Sequence, residues 1–164
     1  MPTLLIIWHS RTGTAEALAA AVRDGAVATG EPVEVKLVPA TQATAAQCLA
    51  ADVYVFACPE NLASMSGAMK EMVDTLYYPL LGRIEARAYA LVIAAGTDGG
   101  GAVRQWQRIA TGWRLKAAAE PLLVRTGADT AEAIVAEKLV GEDDLARARD
   151  LGAAMAAGLA MGIF

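Results

Sequence analysis

The sequence predicts an α/β fold: a doubly wound, five-stranded parallel sheet of strand order 2-1-3-4-5, covered by helices on both faces to give three layers. Three observations lead there. Short apolar runs alternate strictly with longer amphipathic ones, a pattern that requires parallel strands joined by right-handed crossovers. The first, third and fourth of the short runs are nearly continuous in apolar residues, as strands covered on both faces must be. A length of 164 residues accommodates one such domain, 1–164, with a sizeable core and no room for a second.

The strands are expected at 4–8, 33–38, 53–57, 89–95 and, more weakly, 122–125. The second, VEVKLV, alternates and so suits a less buried position. Helices are expected over 14–29, 42–50, 64–79, 100–116 and 143–161, each ending near Gly, Pro or a charged cluster. The stretch 79–87 carries Leu80, Leu81 and Ile84 and returns the third helix to the fourth strand. Alanine-rich helix ends, 17–22 and 153–159, point to close packing on the sheet.

Composition narrows the function classes. A net charge of −4 without a concentrated basic face argues against a nucleic-acid partner. Cys48 and Cys58 form neither a metal pattern nor a disulfide framework, and the start MPTLLIIWHS lacks the basic region and cleavage site of a signal peptide, so cytoplasmic residence is expected. Hydrophobic content is 55%, but the longest uncharged stretch at the C-terminus, 151–164, is too short for a membrane span and reads as a buried final helix.

In a doubly wound sheet, ligands bind at the carboxyl ends of the strands, beside the switch point between strands one and three. Three loops at that edge are unusual. After strand one, HSRTGT presents the hydroxyls of Ser10, Thr12 and Thr14, and Gly13 allows close backbone approach where the first free N–H groups of a helix point outward. Neither G-x-x-x-x-G-K-[ST] nor G-x-G-x-x-G can be laid over residues 9–16, which removes P-loop nucleotides and Rossmann-bound NAD. With no lysine in the loop, a terminal phosphate monoester held by neutral donors alone is the ligand that fits.

After strand three come Cys58, Pro59, Glu60, Asn61, Leu62, Ala63, Ser64, Met65, Ser66 and Gly67. Pro59 fixes a turn, Asn61 and Ser64 offer side-chain hydrogen bonds, Ser64 is also a candidate cap for helix three, and Gly67 permits close approach. After strand four, Gly96-Thr97-Asp98-Gly99-Gly100-Gly101 implies a backbone pressed against something flat or left free to present its N–H groups.

On these three motifs, Ser10-Arg11-Thr12-Gly13, Pro59-Glu60-Asn61-Leu62 with Ser64 and Gly67, and Gly96-Thr97-Asp98-Gly99, the whole chain resembles the flavodoxin-like family, and within it the small NAD(P)H-dependent FMN or quinone reductase branch. The resemblance implies that Ser10, Arg11, Thr12, Gly13 and Thr14 hold the phosphate of FMN. It implies likewise that Pro59, Glu60, Asn61, Leu62, Ser64, Gly67, Gly96, Thr97, Asp98 and Gly99 border the isoalloxazine ring. Two departures matter. Ala15 stands where family members commonly carry a second Ser or Thr, so one phosphate hydroxyl is absent and Thr14 is the candidate substitute. Residues 58–67 and 96–101 contain no aromatic, which leaves one flavin face open to a nicotinamide, a quinone or a residue of a neighbouring subunit.

Other conspicuous residues have plainer readings. His9 is expected to pack beside the phosphate loop rather than donate protons, and Cys58 to end a buried strand rather than sense redox state. Trp106 and Trp113, seven apart on one helix, share a face that reads as core. Tyr77 and Tyr78 remain open between packing and contact. Arg104 and Arg108 read as a solvated face, with an anionic dinucleotide as the alternative.

The resulting expectation is an FMN-dependent oxidoreductase that takes hydride from NAD(P)H and reduces a quinone or similar small acceptor, with no catalytic side chain and as a homo-oligomer. One alternative is a flavodoxin-type one-electron carrier serving a redox partner protein. The other is an interaction protein of the same fold with weak or no flavin. A response-regulator receiver is excluded, because His9-Ser10 and Cys58-Pro59 occupy the positions where it needs acidic residues.

Overall fold

The computed structural model describes residues 1–164. Its strands are β1 (Thr3–Trp8), β2 (Glu34–Pro39), β3 (Val53–Asn61), β4 (Ser64–Met65), β5 (Ala88–Ala95), β6 (Lys116–Ala117) and β7 (Leu122–Arg125). Its helices are α1 (Thr14–Ala28), α2 (Ala45–Ala50), α3 (Gly67–Leu80), α4 (Gly100–Gly112), α5 (Ala131–Val135) and α6 (Glu142–Ala160). The parallel sheet runs β2-β1-β3-β5, and the far edge of β5 pairs with β6 at Ala88–Tyr89 and with β7 along Val92–Ala95. The order expected from sequence is therefore the order observed, with β7 as the expected fifth strand and with β4 and β6 as additional two-residue strands.

Alternation along β1 divides the core. Leu4 and Ile6 face α1 and α6, whereas Leu5 and Ile7 face the layer containing α3 and α4. Trp106 and Trp113 both lie in that second layer, with the Trp106 ring stacked on Phe56 at 4.3 Å, so the core reading of both tryptophans holds. On the first layer the small residues let α1 and α6 touch backbone to backbone. A Cβ at Gly25 would fall against the Arg149 carbonyl, and one at Gly152 against the Val22 carbonyl. No helix is long and apolar enough to cross a membrane.

The buried turn between α2 and β3 is fastened by a single guanidinium. Arg87 Nη1 donates to the carbonyls of Cys48, Leu49 and Ala51 and to Tyr54 Oη, and Tyr54 Oη in turn donates to Cys48 O at 2.7 Å. These carbonyls close a short helix and have no helical donor of their own. Burial pushes the Tyr54 phenol up to about 12, so it acts here as a neutral hydroxyl.

Several boundaries differ from the sequence reading. Helix three starts at Gly67 rather than 64, because Ser64 and Met65 turn back as β4 and pair with Asn61 and Glu60. Leu62 and Ala63, with φ of 52° and 62°, make the left-handed turn of this hairpin. The helix expected over 42–50 is a 3-10 turn (Ala40–Gln42) followed by α2, whose start is fixed by the reciprocal Thr44 and Gln47 capping box. Helix four stops at Gly112, and 116–117 pair as β6 instead. The third strand continues through Pro59: β1 leaves the ladder after Trp8, and a proline on that freed edge costs no bond.

Candidate functional site

The carboxyl ends of β1, β3 and β5 open into a cavity of about 500 Å³, within the size range of small-molecule pockets. The β1–α1 loop forms one end. Gly13 is the residue before α1 and has φ 105°, a conformation that a side chain resists. Its N–H donates to Ser10 Oγ at 3.1 Å, while the N–H groups of Thr14, Ala15 and Glu16 lie in the first helical turn, where no intrahelical carbonyl reaches them. Thr14 Oγ1 is buried without a hydrogen-bond partner, and Ala15 is 1% exposed.

The β3–β4 hairpin and the β5–α4 loop form the walls. Glu60 joins them: Oε1 accepts from Gly99 N and Oε2 from Ala102 N, both at 2.9 Å. Asp98 Oδ1 accepts from Gly100 N at 3.1 Å, and Arg125 Nε donates to the Asp98 carbonyl at 2.8 Å. The start of α4 is therefore satisfied by two carboxylates of the protein itself. Ser64 Oγ and Met65 N both donate to Gln105 Oε1, which ties the hairpin to the middle of α4.

This geometry corrects the reading of the glycine run. Gly101 is pressed against the Ala63 backbone and Gly99, with φ 99°, against Leu123, so these glycines accommodate neighbouring protein, and the N–H groups of Gly99 and Gly100 are taken by Glu60 and Asp98. Gly67 is exposed with nothing near its Cβ position, so close approach does not explain it. Ser64 does not cap helix three, which begins after Ser66.

Of the residues singled out in the sequence, Ser10, Arg11, Thr12, Thr14, Pro59, Glu60, Asn61, Leu62, Gly96, Thr97 and Asp98 line the cavity. Gly13, Ser64, Gly67 and Gly99 do not line it. Sequence reasoning missed a third wall, formed by Thr126, Ala128, Ile134 and Lys138 on and around α5. The Thr130 side chain accepts from Ala133 N and caps this helix, a signal present in the sequence as Thr130 followed by Glu132 and an apolar pair. Lys138 adds a cation from a distant segment to the lining.

Two reactive side chains are turned away from chemistry. His9 Nδ1 lies 2.7 Å from Ser66 Oγ, which is fully buried, and burial together with the nearby Arg11 lowers the imidazole below its ordinary value, keeping it neutral at pH 7. Cys58 is 0% exposed and accepts from Trp106 Nε1, with burial pushing its thiol up to about 11. A thiol held that high is not a redox nucleophile.

Residues 11–123, which carry two of the three cavity loops in full and most of the first, match the family described as NADPH-dependent FMN reductase. The chain belongs to that family. Membership and fold together support an FMN-binding flavoprotein of the oxidoreductase class. A flavodoxin of Aquifex aeolicus is 32% identical over 101 residues, 62% of this chain, and the match spans 54% of that relative's length. Among solved structures, a flavodoxin from the domain Archaea superimposes with a TM-score of 0.79 at 15% identity, covering 96% of this chain and 98% of the other. A WrbA-like flavodoxin from Agrobacterium tumefaciens gives 0.74 at 17% identity over 99% of each chain. At such identities these likenesses establish the fold alone. The FMN reductase family member's own atoms suit the cofactor: an orphaned buried hydroxyl at Thr14, free amides in the first turn of α1 and hydroxyls at Ser10 and Thr12 match the acceptor oxygens of a phosphate monoester.

Proposed function

We propose that the protein binds FMN in this cavity and uses it to pass hydride equivalents from NAD(P)H to a quinone or similar small acceptor. When bound, FMN supplies the hydride and electron chemistry. Ser10, Thr12 and Thr14, with the amides that open α1, hold the phosphate. Pro59 to Leu62 and Gly96 to Asp98 border the ring, and Glu60 fixes those two walls at one separation through its bonds to Gly99 and Ala102.

The observation that carries this reading over an electron carrier is the lining itself: no aromatic residue contributes to it, so no aromatic side chain is in place to stack on the ring, which favours a face open to a second substrate. A net charge of −4 is also modest for a protein that docks by electrostatic steering. The similarity to a protein named flavodoxin is what favours the carrier as the second reading. No acid or base is assigned, since His9 is neutral and bonded to Ser66 and Cys58 is sealed in the core. A cytoplasmic homo-oligomer, in which a second subunit approaches the open face, belongs to the same proposal.

The test is anaerobic mixing of FMN-loaded protein with NADPH or NADH while the flavin absorbance is followed. Bleaching within seconds by one of the two supports the reductase. Bound flavin that neither nucleotide bleaches over many minutes supports the carrier instead.

A further inference from the structure

We propose that Lys138 is the cation of the phosphate subsite, and that it makes the cavity select flavins bearing a 5′-phosphate over flavins without one. The inference rests on the FMN reading above. Lys138 follows α5, and its main chain is seated against the phosphate loop: its N–H donates to Thr12 O at 2.8 Å, and its carbonyl oxygen lies 3.5 Å from where a Cβ on Gly13 would stand. The residue lines the same cavity as Ser10, Thr12 and Thr14 and is half-buried.

The ammonium group is uncommitted to any carboxylate. None of the six ion pairs of the protein includes it. Its Nζ is instead curled back onto the carbonyls of Ile134 at 3.0 Å and Ala136 at 2.5 Å, two neutral acceptors at the end of the preceding helix α5. Exchanging neutral acceptors for a phosphate that carries roughly −1.5 to −2 charge at pH 7 gains a charge-assisted pair without breaking a salt bridge.

The need for a cation is local. Glu60 and Asp98 put two carboxylates in the same cavity, while the loop offers hydroxyls, amides and the side chain of Arg11. Arg11 is the other cation in the lining, but it is exposed, so its field is screened by water and salt. Lys138, seated against the loop by its backbone, has only its side-chain torsions left to fix on reaching the phosphate.

The experiment measures FMN and riboflavin binding by flavin fluorescence, at low and high salt, for the unaltered chain, Lys138→Met and Lys138→Arg. Lys138→Met is expected to raise the Kd for FMN about ten-fold, equivalent to about 1.4 kcal/mol, and to flatten its salt dependence. Its Kd for riboflavin is expected to stay unchanged, and Lys138→Arg to keep most of the FMN affinity. An FMN Kd for Lys138→Met within about two-fold of the unaltered chain overturns the inference. Equal weakening of FMN and riboflavin overturns it too, because that is the mark of a packing role. Failure of all three proteins to bind FMN overturns the FMN reading itself, an outcome distinct from a lysine that binds FMN no better than methionine.

Discussion

Gly152→Ala is expected to destabilise the fold by about 1–3 kcal/mol, as overpacking of a close-packed seam does. Propensity alone argues the opposite, since alanine in a helix interior is favoured over glycine by about 1 kcal/mol. Geometry decides the sign. A Cβ at Gly152 would lie closer than 3.0 Å to the Val22 carbonyl oxygen and carbon, atoms fixed in the middle of α1, and no rotamer change relieves a contact with backbone. Gly25 makes the reciprocal contact with Arg149, so α1 and α6 must separate along their whole crossing to admit either methyl. Separation loosens Leu18, Val22, Met155 and Ala156 on the same face of the sheet. Gly112, the last residue of α4, has nothing within 4 Å of its Cβ position, and Gly112→Ala is the matched control, expected to be neutral or mildly stabilising. The urea midpoint should fall for Gly152→Ala and stay unchanged or rise for Gly112→Ala, and an equal fall in both contradicts the packing role.

The second large effect is expected at Glu60. Glu60→Gln keeps the shape of the side chain but turns an NH2 group toward either Gly99 N or Ala102 N, leaving one donor facing another. Losing a charge-assisted bond at a half-buried site, with its interaction with the start of α4, costs about 2 kcal/mol. The loss falls on the joint between the two ring walls, so FMN affinity is expected to drop along with thermal stability. Asp98 cannot substitute, because its carboxylate is already engaged by Gly100 N. A Glu60→Gln protein with unchanged melting temperature and unchanged FMN affinity would remove Glu60 from its clamping role.

Most of the fold was legible because it follows from burial. The apolar runs of β1, β3 and β5 admit no other reading, and the run ends place Ser10–Thr14, Pro59–Leu62 and Gly96–Asp98 at one edge. What was hidden depends on contacts distant in sequence. Pro59 reads as a turn until β1 is seen to leave its ladder one residue earlier, which frees that edge of β3. The glycines at 99 and 101 read as cofactor cradle, and only the packing against Leu123 and Ala63 shows that they serve the protein's own walls. Lys138 sits in the irregular stretch after the short helix α5, and its place beside Thr12 is set by one backbone hydrogen bond that no local pattern encodes.

Whether Ser10–Thr14 holds the phosphate of FMN is decided by a titration of the purified chain with FMN, followed by flavin absorbance and fluorescence. Saturable binding with a perturbed flavin spectrum is expected, with about ten-fold or greater weakening in Thr12→Leu, which removes a hydroxyl and adds bulk beside the loop amides. A flavin spectrum unchanged at saturating FMN, or undiminished affinity in Thr12→Leu, would contradict phosphate binding by this loop.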